Sequence, residues 1–208
     1  MGKTTLYIVR HGETEWNVEK RLQGHHDSPL TQLGELQADW LHEALKEVEF
    51  DGIYTSSSQR AVRTTEIISR QQKSPIVKVD QLREMYLGEW EGKRQSDLLK
   101  SEPHEFQSFW HTPHLFQPTT GESFLEVQDR VIDKLKQIHR NHYSDSPLLI
   151  VTHTVVVKVL MAYFEGRPLS NIWDPPYLHP ACLCKVEFDG DKSTIYLHGD
   201  TSHYKKPL

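Results

Sequence analysis

Cysteine is scarce: Cys182 and Cys184 are the only two among 208 residues. Lying two apart in an apparent strand, they face the same way and cannot bridge each other, so no disulfide framework holds the chain. Long apolar runs are also missing. The longest, Val155 to Phe164, is interrupted by Lys158 and is too short to cross a bilayer. The opening MGKTTLYIVR lacks the cationic start and apolar stretch of a secretion signal, and Leu6 breaks the myristoylation pattern that would follow Gly2. The expectation is a cytoplasmic protein with no membrane partner. Positive charge is short as well. A net charge of −5 argues against a nucleic-acid partner, although a local basic pocket fits inside an acidic total. Histidine is abundant at 13, yet no cysteine or carboxylate set completes a structural-zinc pattern, so no metal is expected.

What is present is globular. Hydrophobic residues at 37% and charged residues at 25% suit one domain over residues 1–208. At this length folding buries roughly 70% of the unfolded chain's surface, so the core needs no staples.

Thr4–Val9 reads as a buried strand ending at the turn signal His11-Gly12. Thr31 is a candidate N-cap for a helix whose Leu33, Leu36, Trp40, Leu41, Ala44 and Val48 recur at helical spacing toward the core. Gly52–Thr55 is a second strand, leading through Ser56-Ser57-Ser58 into a helix carrying Ala61, Val62, Thr65 and Ile68 on one face. Pro75–Val79 is a third strand. Residues 88–121 break the alternation, with five aromatics (Trp90, Phe106, Phe109, Trp110 and Phe116) among prolines and histidines. This excursion of short helices and loop is either a satellite core or a lid over a pocket. A long helix then carries Phe124, Val127, Val131, Leu135 and Ile138. Leu148–Val151 is an entirely apolar strand of the parallel-sheet type. Val155 to Phe164 reads as a helix stopped by Gly166 and Pro168. Strands at about Leu183–Phe188 and Thr194–His198 close the chain, joined by the hairpin signal Asp189-Gly190-Asp191. The fold class is α/β: a three-layer α/β/α domain with a mostly parallel sheet and at least one antiparallel strand.

In open α/β sheets, ligands gather at the carboxyl ends of strands. Arg10-His11-Gly12, Ser56 to Arg60, Glu84, and Thr152-His153-Thr154 all fall there. That architecture can bring two histidines, two arginines and a carboxylate into one crevice. Arg63 and Arg70 read as solvated face residues. His25 and His26 either rim the pocket or face solvent.

These segments carry a resemblance. Arg10-His11-Gly12-Glu13-Thr14-Glu15-Trp16-Asn17 is similar to the signature of the histidine phosphatase superfamily, in its phosphoglycerate-mutase-like branch. Gln23-Gly24, Asp27-Ser28-Pro29-Leu30-Thr31, Gly34 and Tyr54-Thr55-Ser56-Ser57 with Arg60-Ala61 and Thr64 follow in the same order. So do Leu82-Arg83-Glu84, Gly88-Glu89-Trp90-Glu91-Gly92, Gly121-Glu122-Ser123 and Val151-Thr152-His153. The length and the Trp173 to Tyr177 stretch most resemble the broad-specificity phosphatases of that branch.

The resemblance implies metal-independent hydrolysis of a small-molecule phosphomonoester, with no cofactor. His11 would be the nucleophile that forms a phosphohistidine. Arg10, Arg60 and His153 would hold the phosphoryl oxygens. Glu84 would protonate the leaving oxygen and then activate water. Asn17, Gln23, Gly24 and the backbone N–H groups at the helix start beside Arg60 would complete the cradle. Thr154 stands where the family commonly has glycine. Its hydroxyl would add a phosphate contact or narrow the pocket, and its Cβ would crowd a positive φ. The alternatives are a phosphoglycerate mutase, a dedicated metabolite phosphatase such as an alpha-ribazole phosphatase, and a non-catalytic phosphate-binding protein. Oligomeric state is not legible in the sequence.

Overall fold

A computed structural model describes residues 3–142, 147–189 and 192–205. Six strands form one sheet in the order β3-β2-β4-β1-β5-β6. They are β1 (Thr4–Arg10), β2 (Gly52–Ser56), β3 (Ile76–Val79), β4 (Leu148–Thr152), β5 (Leu183–Phe188) and β6 (Ser193–Asp200). The first four run parallel, and β5 runs against both of its neighbours.

Helices cover both faces. Tyr7, Val9, Ile53, Leu149 and Val151 pack against α2 (Gln32–Leu45) and α3 (Gln59–Ile68). Leu6, Ile8, Leu148 and Ile150 point the other way, onto α6 (Phe124–Asn141) and α7 (Thr154–Glu165). The strict alternation of faces along β1 and β4 is the period-2 rule at work in a strand buried on both sides. The layers expected from the sequence are therefore present.

Local signals explain the element ends. The Thr31 side chain accepts from Gly34 N at 2.9 Å and caps α2. Gly166 ends α7 with φ +64°. A capping box between Ser123 and Glu126 starts α6. β5 and β6 pair antiparallel up to Phe188 and Ser193, while Gly190 and Asp191 of the hairpin signal lie outside the described residues.

Three details correct the sequence reading. Leu33 and Leu36 are 40% exposed, and Ala44 is exposed. The buried face of α2 is instead Gly34, Gln37, Ala38, Trp40, Leu41, His42 and Leu45. Gln37 is inside because its Oε1 accepts from Glu13 N at 2.9 Å, so a polar side chain serves a loop where apolar packing was expected. Arg63 and Arg70 are not simply solvated: they pair with Glu35 at 2.8 Å and Asp39 at 2.5 Å across α2 and α3. Both pairs are half-exposed and contribute little to stability. The 88–121 excursion is built of α4 (Gln95–Ser101), α5 (Pro103–His111) and short 3-10 turns. Its Trp90, Phe106, Phe109 and Phe116 join the main core rather than a satellite.

The start of α2 also supports the loop after β1. A Cβ on Gly34 would lie 2.0 Å from Glu13 O, and one on Gly12 would lie 2.4 Å from Gly34 O. Gly34→Ala gains about 1 kcal/mol of helix propensity. It also forces a methyl group into a main-chain carbonyl, an overpacking cost of about 1–3 kcal/mol. The carbonyl cannot swing away as a side chain can, so the clash wins. Urea denaturation of Gly34→Ala is expected to show a net loss of stability. Unchanged stability would contradict this close approach.

Candidate active site

β1 and β4 are neighbours in register, with Arg10 opposite Thr152. His11 continues that register: its N–H donates to Thr152 O at 2.9 Å and its carbonyl accepts from Ala181 N at 3.0 Å. His153 follows β4 in the same way, so the two imidazoles leave adjacent strands with centroids 5.2 Å apart. Arg60 enters from the first turn of α3, beyond β2, and Glu84 from the coil beyond β3. Arg10, His11, Arg60, Glu84 and Thr154 line one cavity of about 770 Å³.

The His11 ring is fixed and neutral. Its Nδ1 lies 2.7 Å from Gly12 O, which makes Nδ1 the protonated nitrogen and leaves the Nε2 lone pair free. Burial, then the charges of Arg60 and Arg10, hold its pKa well below the usual value of 6.5. Burial and the same arginines depress His153 similarly. His153 Nε2 lies 2.7 Å from Ser56 Oγ, and its Nδ1 is buried without a protein partner. With the hydroxyl donating to Nε2, Nδ1 carries the proton.

Arg60 is 2% exposed, and its guanidinium is nearly surrounded. It donates to Gly24 O at 2.8 Å, His26 O at 2.7 Å and Asp27 Oδ1 at 2.6 Å. Arg10 donates to Leu178 O at 2.6 Å. The Nε of each arginine is buried and unpartnered. Glu84 is half-buried; desolvation raises its pKa against the pull of backbone N–H groups at Met85 and Val155 and of Arg60. Its two oxygens accept from Met85 N at 2.9 Å and Val155 N at 3.3 Å.

The remaining sequence candidates divide. Asn17 and Gln23 reach the cavity wall, but both also tie the loop together. Asn17 Oδ1 accepts from Thr14 N and Oγ1, and Gln23 Nε2 donates to Thr14 Oγ1 at 2.9 Å. Gly24 lines the cavity and contributes its carbonyl to Arg60. The backbone N–H groups at the start of α3 have a partner within the chain. Gln59 N and Arg60 N donate to the Asp27 carboxylate, at 2.9 and 3.4 Å. An acidic side chain already satisfies that helix end, as its dipole favours. Thr154 is the first residue of α7, and only Lys20 and Ala181 among described non-glycine residues have positive φ. The expected crowding at Thr154 does not arise. His25 and His26 stay outside the cavity, His25 against Tyr86 and His26 exposed near Trp16. No group of three or more His, Cys, Asp or Glu residues is arranged to hold a metal ion among the described residues.

Sequence reasoning quoted Asp27, Ser56 and Glu91 within its motifs but gave none of them a role in the site. Glu91 accepts from His25 N at 2.7 Å and His26 N at 3.1 Å, so it shapes the loop whose carbonyls grip Arg60. Each acts across 30 or more positions, and none carries a local signal.

The far wall of the cavity is apolar. Phe109 and Trp110 of α5 face Trp173, Pro175 and Tyr177; the two indoles lie 4.6 Å apart. Trp173 Nε1 donates to Phe109 O at 2.7 Å. The buried Lys158 of α7 donates to Asp174 O at 2.6 Å and Pro176 O at 2.9 Å, and burial lowers its pKa. The Tyr204 hydroxyl donates to Pro180 O.

A family profile described as "Histidine phosphatase superfamily (branch 1)" matches residues 6–201. The chain is 32% identical to adenosylcobalamin/alpha-ribazole phosphatase of Escherichia coli over 81% of this chain and 82% of that one. It is 30% identical to phosphoserine phosphatase 1 of Hydrogenobacter thermophilus, over 81% of this chain and 79% of that one. Among solved structures, Bacillus stearothermophilus YhfR superposes with a TM-score of 0.92 at 44% identity, covering 96% of this chain and 98% of that one. With the profile spanning nearly the whole sheet and these relatives matching over about four-fifths or more of each chain, the chain is an enzyme of the phosphatase kind and belongs to branch 1 of the histidine phosphatase superfamily.

Proposed function

We infer that this protein hydrolyses phosphomonoesters without a metal ion, through a phosphohistidine at His11. The observation that carries the reading is a neutral, buried imidazole whose Nδ1 is anchored, set beside two buried guanidinium groups with unpartnered N–H donors. Such a site suits an incoming phosphate dianion.

In the first step His11 Nε2 attacks phosphorus while the P–O ester bond breaks. Glu84, whose raised pKa favours the acid form, passes its proton to the leaving oxygen. Arg10, Arg60 and the Nδ1–H of His153 take up charge on the equatorial oxygens. In the second step water attacks the phosphohistidine as the P–N bond breaks, and the Glu84 carboxylate accepts the water's proton. Inorganic phosphate leaves and the starting protonation states return. The arginines thereby supply positive charge that other phosphatases draw from metal ions.

The Phe109, Trp110 and Trp173 wall suits an ester whose organic part is bulky and apolar. A panel of phosphomonoesters graded by apolar size, with phosphoglycerates included, tests this preference. Preferred release of phosphate from the bulky members is expected; isomer exchange of phosphoglycerates would favour a mutase.

Turnover of an aryl phosphate with and without chelator is expected to be equal. His11→Ala should abolish both turnover and labelling of the protein by radioactive phosphate, and retained labelling would rule out this nucleophile. In kcat/KM, which reports the first displacement, Glu84→Gln should slow alkyl phosphates by about 10²–10⁴-fold while sparing esters with acidic leaving groups. A uniform loss would contradict the acid role.

The neutral imidazoles also make stability depend on pH. Unfolded, His11 and His153 bind protons near pH 6.5; folded, they refuse them until far lower pH. Below pH 6.5 the unfolded chain therefore holds more protons, and stability falls with pH through that value. At pH 5.5, His11→Asn should reduce the proton uptake on unfolding by roughly one. An unchanged slope of unfolding free energy against pH would show His11 to be charged in the fold.

A further inference from the structure

Glu84 stands on backbone that no regular element holds. Residues 83–87 are coil between the 3-10 turns Asp80–Leu82 and Gly88–Trp90, so their carbonyls and N–H groups need partners from elsewhere. One side chain serves two of them, on either side of the peptide bond that enters Glu84. Arg130, in the second turn of α6, donates through Nη1 to Gln81 O at 2.8 Å and Arg83 O at 3.0 Å. Through Nη2 it donates to Glu84 O at 3.1 Å. Its Nε and Nη2 also form a two-pronged pair with Glu122, at 2.7 and 2.8 Å. Glu122 in turn accepts from Tyr86 N at 2.7 Å through its carboxylate, and its own N–H donates to Tyr86 O at 2.8 Å.

We propose that the Arg130–Glu122 pair positions Glu84 for proton transfer, by gripping the main chain on both sides of it from α6. The inference rests on the acid role of Glu84 given above. Arg130 is not among the cavity-lining residues, so it acts through the main chain of Glu84 and not on the substrate. The planar fork matters: its separate N–H directions serve three carbonyls and a carboxylate at once, which a lysine cannot reproduce. The Glu84 carboxylate is otherwise oriented by Met85 N and Val155 N alone. A shift of the 83–87 main chain would carry Glu84 away from Val155 at the start of α7 and from the leaving oxygen.

The test compares kcat/KM of Arg130→Ala, Arg130→Lys and Glu122→Gln with that of Glu84→Gln on aryl phosphates of graded leaving-group acidity and on one alkyl phosphate. A misplacement of about 1 Å costs roughly a hundredfold. Arg130→Ala is expected to lose about that much on the alkyl ester, and little on the aryl ester with the most acidic leaving group. Glu122→Gln should shift the dependence the same way, and Arg130→Lys should fail to restore it. Combined with Glu84→Gln, Arg130→Ala should slow the alkyl ester no further, since the group it positions is gone. Equal loss across all leaving groups, or multiplying losses in the double variant, would overturn the proposal. Should Arg130→Ala not fold, Arg130→Lys and Glu122→Gln carry the same readout. If Glu84→Gln leaves the leaving-group dependence unchanged, the acid role falls and this inference falls with it. If Glu84→Gln steepens that dependence and none of the pair's variants does, the positioning role alone is refuted.

Discussion

The organising constraint is the burial of Arg60 beside an uncharged imidazole. A guanidinium taken out of water must have its N–H groups satisfied or the fold suffers. Arg60 meets this need at Nη1 and Nη2, with two carbonyls from the Gly24–His26 turn and one carboxylate oxygen of Asp27, and leaves Nε unpartnered. That turn is shaped from behind by Glu91, whose Oε1 would lie 2.2 Å from a Cβ at position 24. Glycine suits that position, both for that approach and for its φ of +55°. The loop after β1, the Glu91 turn and the start of α3 are thus one device for holding a buried positive charge. The depressed basicity of His11 follows from burial first and from that charge second.

Much of the fold is legible in the chain because its signals are local. The wholly apolar Leu148–Val151 run, the Thr31 cap and the glycine after Glu165 each act within a few residues, and each is found where the pattern places it. Leu33 and Leu36 mislead because helical spacing says only that a stripe exists. Which stripe turns inward is decided by Gln37 bonding to Glu13 and by Gly34 lying under that loop. Both facts depend on a segment twenty residues away.

The candidate site divides along the same line. Residues at strand ends, namely Arg10, His11 and His153, are placed by parallel-sheet geometry that the element order already implies. Asp27 is not, since an aspartate in a turn has many ordinary uses; Ser56 does end a strand, β2, but nothing near it in the chain tells that its hydroxyl meets His153. The helix start at Arg60 shows how a sound rule reaches a wrong partner. Its N–H groups do bind an anion, and the anion is the Asp27 carboxylate of the same chain.

The apolar wall from Trp173 to Pro180 is attached in an unusual manner. Arg10, Lys158 and Tyr204 all hold it by main-chain oxygens, at Leu178, Asp174, Pro176 and Pro180. Among its side chains, Trp173 and Leu178 anchor it as well, while Tyr177 is 70% exposed. Such a strap behaves as an exchangeable cassette. Point changes at its outward positions can reshape that wall of the cavity while the main-chain oxygens that anchor it stay in place.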